Sequence, residues 1–458
     1  MLGKYKKIHF VGIGGIGMSG IAEVLHKKGY VVSGSDKELS TVTERLEKQG
    51  IRIYKGHREE NINDADLVVF TSAATQENPE IIEAKRKGIT AVKRAEMLAE
   101  CMRGKYGICI AGTHGKTTTT SMVGLILTEA GVDPTILVGG NLKALGGTNA
   151  RLGNGEFIVV EADEFDRTFL KLTPTLAAIT NLEAEHLDTY KDLDDIKKTF
   201  IEFANKIPFY GFVAICTDDK NLKEIKPSIK GRVITYGVEE SAEVKAINIM
   251  STEKSSSFTV KYFGEYLGEV KLNIPGVHNI KNSLAALIIA KELKIDLQTI
   301  KKSLESFRGA DRRFEIKYDK EIMLIDDYAH HPTEVSSTLD GIRKGWNRRL
   351  IAVFQPHLFT RTKDFAEDFG KAFLNSDIFV CTDIYPSREE PIAGITGQLV
   401  ADAAEKSGHK KVIYEKDKTK LPEVLKSIAL KDDIIITMGA GDIWKYGEMF
   451  LDNYLNNN

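Results

Sequence analysis

Two glycine-rich turns, each directly behind a short apolar run, constrain this chain more than any other feature. Ile8–Val11 leads into Gly12-Ile13-Gly14-Gly15-Ile16-Gly17, and Ile108–Ile110 leads into Ala111-Gly112-Thr113-His114-Gly115-Lys116-Thr117. Glycine supplies backbone shapes and close approaches that other residues resist. A strand, a glycine turn and a helix in succession aim unpaired helical N–H groups at an anion. Each turn therefore predicts a phosphate cradle at the carboxyl end of a parallel strand.

The rest of the chain alternates in the same way. Its 458 residues exceed one ordinary core, and three α/β units are predicted over residues 1–104, 105–310 and 311–458. In the first, strand-like Val31–Ser35 and Leu67–Phe70 alternate with helical Met18–Lys28, Thr41–Gln49 and Pro79–Lys87. In the second, Thr117–Glu129 is helical, and apolar runs recur at Phe157–Val160, Leu176–Ile179 and Phe212–Cys216. Residues 244–274 change texture to apolar–polar alternation with turn signals, which predicts an antiparallel insertion or subsheet. In the third, strand-like Ile322–Ile325, Leu350–Phe354 and Ile378–Cys381 alternate with helices from Thr333, near Thr362–Phe373 and near Gly397–Glu405.

Lys+Arg number 63 against 65 Asp+Glu, so no general nucleic-acid or membrane-surface role is favoured. Cys101, Cys109, Cys216 and Cys381 form no C-x-x-C pair and sit in or beside apolar runs. They read as buried free thiols of a cytoplasmic protein. No signal-peptide pattern or bilayer-spanning run is present.

Gly12, Gly14 and Gly17 satisfy G-x-G-x-x-G, and Asp36 follows the second strand where an acid meets a ribose in dinucleotide folds. By itself this turn fits an NAD-type dinucleotide or the pyrophosphate of a UDP-sugar. The second turn is more specific. Lys116 reaches the β- and γ-phosphates of a nucleoside triphosphate, and the Thr117 hydroxyl suits Mg²⁺. Only Thr113 and His114 separate Gly112 from Gly115-Lys116, a shortened phosphate loop. Glu161 ends the run Phe157–Val160 and is a candidate metal ligand, whereas Asp163, Glu164 and Asp166 read as a solvated acidic loop. His186, in the segment Asn181–Asp188 behind Leu176–Ile179, is a second metal candidate. Two further clusters, Asp326–Pro332 and Gln355–Thr362, follow strand-like runs of the third unit. Their histidines match no familiar zinc spacing, and Arg361 suits an anion.

Taken together, Ala111–Thr117, Glu161, His278–Asn282, Arg312-Arg313-Phe314 and Asp327–Pro332 resemble the Mur ligases of peptidoglycan synthesis, in order over the whole chain. Gly12–Gly20, the double-histidine segment and Gln355–Thr362 resemble the branch that joins L-alanine to UDP-N-acetylmuramate. The resemblance implies an α/β fold of three domains: a Rossmann-like N-terminal one for the UDP-sugar, a central P-loop ATPase-like mixed sheet for ATP, and a Rossmann-like C-terminal one for amino acid and nucleotide. It implies that Gly112, Thr113, His114, Gly115, Lys116, Thr117 and Thr118 hold phosphate and that Thr117, Glu161 and His186 serve Mg²⁺ or Mn²⁺. His278, Asn279 and Asn282 would lie by adenine, with Arg313 and Asp327 at phosphate and ribose. Lys116, Glu161, His186 and Arg312 would be catalytic. Gly12, Gly14, Gly15, Gly17 and Asp36 would bind the UDP-sugar, and Tyr328, His330, His331 and Arg361 the amino acid. Glu185 stands where the family has aspartate, and Leu358 where it often has arginine.

The implied reaction is ATP-dependent ligation through an acyl phosphate, by a monomer or homodimer, in a step that serves cell-wall growth, cell shape and division. Three rivals stand beside it. A ligase attaching a recovered tripeptide to the same sugar nucleotide shares the reaction type, an NAD-dependent oxidoreductase shares only the first turn, and a nucleotide-dependent binding switch would use the second turn without ligation.

Overall fold

The computed structural model describes residues 2–142, 147–186, 189–387 and 389–456, so Leu187 and Asp188 of the histidine segment lie outside it. Among the described residues the strands form three sheets, of five, ten and six strands.

The first sheet is built from β1 (Lys7–Val11), β2 (Val31–Asp36), β3 (Arg52–Lys55), β4 (Leu67–Phe70) and β5 (Thr90–Lys93). Helices α1 (Ile16–Lys27), α2 (Thr41–Lys48), α3 (Pro79–Lys87) and α4 (Arg94–Met102) accompany it. All four strand pairings are parallel, in the order β3-β2-β1-β4-β5. The chain reverses its direction of travel across the sheet at β1, so the first glycine turn emerges at the switch point where doubly wound sheets take ligands.

The second sheet carries β6 (Tyr106–Ala111), β7 (Thr135–Leu142), β8 (Thr148–Arg151), β9 (Phe157–Glu161), β10 (Pro174–Ile179), β11 (Phe212–Cys216), β12 (Val233–Gly237), β13 (Val244–Ser251), β14 (Ser256–Tyr262) and β15 (Glu265–Leu272). With them run α5 (Lys116–Glu129), α6 (Leu193–Ala204), α7 (Lys220–Ile225), α8 (Val277–Glu292) and α9 (Leu297–Ser306). The order is β15-β14-β13-β12-β11-β10-β6-β9-β7-β8, with β6 parallel to both β10 and β9 and β7 antiparallel to β8. Residues 244–274, predicted as an antiparallel insertion or subsheet, add β13, β14 and β15 at one end of this sheet. Ile108, Cys109 and Ile110 are fully buried, as a strand covered on both faces requires.

The third sheet orders β16 (Glu315–Asp319), β17 (Met323–Asp327), β18 (Leu350–Phe354), β19 (Ile378–Thr382), β20 (Val412–Glu415) and β21 (Ile434–Met438) as β16-β17-β21-β18-β19-β20. Only the β16–β17 pair is antiparallel. Helices α10 (Pro332–Gly345), α11 (Phe359–Asp364), α12 (Ala366–Ala372), α13 (Gln398–Lys406), α14 (Leu421–Ile428) and α15 (Ile443–Asn456) complete the unit. Alternate residues of its buried strands feed two cores: Leu350, Ala352 and Phe354 enter one, Ile351 and Val353 the other. The single helix predicted near Thr362–Phe373 is two, because Phe365 leaves helical geometry at φ −116°.

The first two sheets belong to one compact unit, Met1–Ile249 with Ser257–Leu272 and Asn279–Arg308; the remainder forms a second. Within the first unit, Arg45 donates to Asn149 Oδ1 at 3.0 Å and Thr148 to Glu23 at 2.9 Å. The four cysteines are free and buried, and burial pushes the Cys101 and Cys216 thiols up to about 12. Among the described residues no helix is long and apolar enough to cross a membrane.

Candidate active site

The second glycine turn is shaped by the segment that follows β10. Gly112 has φ +129°, and a side chain there would put Cβ 2.1 Å from Thr180 Oγ1. The next two amides are tied to Asn181, two residues past the end of β10: Thr113 N–H donates to the Asn181 carbonyl at 3.2 Å and His114 N–H to Asn181 Oδ1 at 2.7 Å. Glu183 N–H returns a bond to Thr113 Oγ1 at 2.9 Å. The amides of Thr113 and His114 thus brace the loop. The first amides of α5, at Lys116, Thr117 and Thr118, are the anion-facing donors that a helix start provides.

Lys116 turns back over its own loop. Its Nζ donates to the carbonyls of Gly112 at 2.6 Å and Thr113 at 3.1 Å, and to both oxygens of Glu164 at 2.9 and 2.8 Å. Burial opposes its charge, but Glu164, Asp163 and Glu185 hold its pKa well above the usual lysine range. Glu164 is buried, and burial, with Asp163 and Glu185 nearby, pushes its carboxyl up to about 7 against the pull of Lys116. The expectation of a solvated acidic loop is therefore wrong for Glu164. Its neighbours differ: Asp166 makes an exposed pair with Lys93, and Asp163 is half-exposed and accepts from Arg94 at 3.2 Å. The turn that buries Glu164 runs through Asp166 and Arg167, both at φ 53°, with Tyr190 Oη donating to the Glu164 carbonyl at 2.6 Å.

Glu161 ends β9 as expected, and its Oε1 accepts from Gly139 N–H at 2.7 Å. A Cβ on Gly139 would lie 2.5 Å from Glu161 Oε2, and one on Gly140 would lie 3.2 Å from Thr117 Cγ2. Thr117 and Glu161 thus flank one two-glycine stretch, and their donors are the hard oxygens that Mg²⁺ takes. His186, at φ 55°, brings Nε2 to 3.8 Å from Glu164 and 4.0 Å from Glu185. One ligand atom from each of these three lies within 4.8 Å of the others. Asn282 lies on Gly115, where a Cβ would meet its Oδ1 at 2.6 Å, and its amide donates to Asn279 at 3.5 Å. Asn282 of α8 therefore sits on the phosphate loop, with Asn279 bonded behind it.

At the first turn, Gly12 and Ile13 donate to the Ser35 carbonyl at 2.8 and 3.0 Å, and Gly14 N–H to Asp36 Oδ2 at 2.9 Å. Gly15 caps α1. Against Gly17 lies Arg94, with Nη1 3.0 Å from where a Cβ would sit. Arg94 was not legible in the sequence, because it opens α4, far along the chain from the turn it serves.

In the other unit, Asp327 ends β17 buried, accepting from Phe314 N–H at 2.7 Å and Ala329 N–H at 2.8 Å; burial pushes it up to about 6. Arg312 and Arg313 flank the Tyr328 ring, at 5.0 and 5.1 Å. Their guanidiniums are used differently. Arg312 donates from all three nitrogens, to Asp326 and to the carbonyls of Gly441 and Gly439, and so staples the closing glycine turn. Arg313 reaches Glu334 at 3.2 Å. Tyr328, His330, His357 and Tyr385 form a chain of ring contacts, and Arg361 meets His357 Nδ1 at 3.2 Å. His331 instead caps α10 and packs on Phe365. His278 folds over Gly276, whose φ is +99°.

A phosphate loop on a mixed sheet, preceded and followed in the chain by a doubly wound α/β domain, defines a class of nucleotide-dependent enzymes. The matches to known proteins are specific. The Mur ligase family catalytic domain matches residues 7–106, the Mur ligase middle domain 110–290, and the Mur ligase glutamate ligase domain 312–441. The chain belongs to the Mur ligase family, and with it to the ATP-dependent ligases. It is 51% identical over 453 residues, 99% of both chains, to a UDP-N-acetylmuramate–L-alanine ligase of Geotalea uraniireducens. It is 50% identical to that of Geobacter sulfurreducens over 98% of both. The solved UDP-N-acetylmuramate–alanine ligase of Thermotoga maritima superposes with a TM-score of 0.85 at 30% identity, over 99% of this chain and 100% of that one. A murein peptide ligase from Psychrobacter arcticus gives 0.75 at 25% identity, over 97% and 98%. Membership of this family sets aside the oxidoreductase reading of the first turn.

Proposed function

We propose that this protein joins L-alanine to the lactyl carboxylate of UDP-N-acetylmuramate with ATP, releasing ADP and phosphate. The observation that carries the assignment is identity of about half, along nearly the full length, to ligases of that name. The murein peptide ligase is far less similar, which disfavours the tripeptide alternative.

The lactyl carboxylate oxygen attacks the γ-phosphorus, ADP leaves, and an acyl phosphate forms. The uncharged amine of L-alanine then attacks the acyl carbon, and phosphate departs with the proton that the nitrogen gives up, leaving the amide. Lys116 and the first amides of α5 offset the charge of the transferring group. Thr117 and Glu161, with His186, would hold Mg²⁺ or Mn²⁺, which when bound supplies further positive charge at the phosphates. Asn282, which lies on Gly115, would brace the phosphate loop, Asn279 and His278 would serve adenine, and Arg313 and Asp327 the nucleotide's phosphate and ribose. Arg312 acts by holding the closing turn in place. Residues 1–104 bind the sugar nucleotide through Gly12, Gly14, Gly15, Gly17 and Asp36, residues 105–310 bind ATP, and residues 311–458 bind the amino acid near Tyr328, His330, His331 and Arg361. The enzyme works in the cytoplasm on free substrates. Phosphate release measured with ATP while sugar nucleotide and amino acid are varied tests the whole assignment: it should require UDP-N-acetylmuramate and L-alanine together. Turnover with a tripeptide in place of L-alanine would refute it.

A further inference from the structure

An ammonium group has three protons, and Lys116 Nζ has four oxygens around it: two loop carbonyls and both oxygens of Glu164. The lysine that should meet a phosphate is therefore already saturated. Glu164 does not drift there from solvent. Its side chain is buried, its carbonyl is fixed by Tyr190, and the left-handed pair Asp166 and Arg167 turns the chain just behind it. A carboxylate held by two oxygens against the lysine of a phosphate loop presents the same charge and the same acceptor geometry as one edge of a phosphoryl group.

We infer that Glu164 is an internal stand-in for phosphate: it holds Lys116 folded into the loop until a triphosphate takes the ammonium from it. The inference rests on the reading of this loop as the ATP site. ATP binding is then an exchange of one ion pair for another, and the enzyme binds ATP more weakly than its loop alone would allow.

The test is calorimetric titration of the purified full-length protein with ATP, in EDTA and without the other substrates, so that neither metal nor turnover enters. Glu164→Gln keeps the shape and removes the charge. It should bind ATP about tenfold more tightly or better, since a charge-assisted bond no longer competes. Glu164→Asp, which withdraws the carboxylate by one methylene, should shift affinity the same way by less, and guards against loss of folding in the first variant. In a Lys116→Gln background the gain should vanish. Equal or weaker binding by Glu164→Gln overturns the inference, and so does a gain that persists in the Lys116→Gln background, since that is the simple relief of repulsion that removing any carboxylate near the phosphates would give. Absence of ATP binding by wild type and variants alike, in EDTA and again with Mg²⁺ restored, would overturn the reading of the loop itself.

Discussion

Lys116→Met keeps most of the side-chain stem and deletes the charge at the phosphate loop. Phosphoryl transfer should fall by about 100-fold or more, the scale of losing one preorganised charge-stabilising donor. Binding of UDP-N-acetylmuramate, measured by calorimetry, should stay unchanged; a parallel loss there would mean that the two turns do not serve separate ligands. Asp327 makes a prediction about pH. Its carboxyl, pushed by burial from 3.8 to about 6, binds a proton more tightly folded than unfolded. A raised pKa means that its contribution to stability is fully present below about pH 4 and is lost as pH rises through 6. Asp327→Asn cannot ionise, so its urea midpoint relative to wild type should improve between pH 5 and pH 8. An offset that is constant over that range would contradict the assignment. Lys116, Thr117 and Glu161 were readable because strand, turn and residue type coincide in sequence. Glu164 was not. In the string Asp163-Glu164-Phe165-Asp166 all three acids look equally solvated, and only the left-handed turn at Asp166 and Arg167 separates the buried one from its neighbours.

Helix α4 matters beyond its length because its first residue, Arg94, lies against Gly17 of the first turn and reaches Asp163 beside Glu164. Arg94→Ala removes a guanidinium from the sugar-nucleotide turn and should raise the KM for UDP-N-acetylmuramate by about tenfold or more, the weight of a charge-assisted hydrogen bond. ATP affinity in the absence of sugar nucleotide should change far less; the reverse pattern in the two titrations would move Arg94 to the nucleotide. Gly211, just before β11, has a structural burden of its own. A Cβ there would sit 1.9 Å from the Thr175 carbonyl oxygen. Gly211→Ala should cost about 1–3 kcal/mol in urea unfolding, as overpacking does, and an unchanged midpoint would mean that the chain relaxes there freely. Elements with strong periodicity were legible. The short β3, β5 and β16 were not, since each mixes charged with apolar residues and owes its existence to a neighbouring strand. The break at Phe365 was hidden because Phe365 fits the apolar face of the helix it interrupts.

At the scale of the whole molecule, the alternation of apolar runs and helices gave the α/β class and the three sheets, because parallel strands buried on both faces are continuous in composition. What it could not give was the grouping of the first two sheets into one compact unit. That depends on side chains such as Arg45 and Asn149, which meet from sequence positions 104 residues apart. Amino-acid choice is also a property of the assembled protein. A pocket recognising a single methyl group discriminates by roughly 10–200-fold, and an added hydroxyl by about 100-fold. Glycine and L-serine should therefore be poor but measurable substrates in kcat/KM, and D-alanine nearly inert, since its amine and methyl cannot both be placed as those of L-alanine are. Equal use of the two alanine enantiomers would refute the pocket assigned to Tyr328, His330 and Arg361.

The central strands β10, β6 and β9 lie side by side, and each sends one loop to the same site. Lys116 meets Glu164 across 48 residues, and His114 meets Asn181 across 67. A nascent chain that has emerged from the ribosome only through β8 carries the complete glycine turn but neither Glu161 nor the residues after β10 that hold the turn in shape. Closing those separations is the slow, entropically costly part of building such a sheet. Competence to capture nucleotide must therefore arise late and abruptly during synthesis, after β10 has docked, and a truncated product ending before Thr180 cannot sequester ATP.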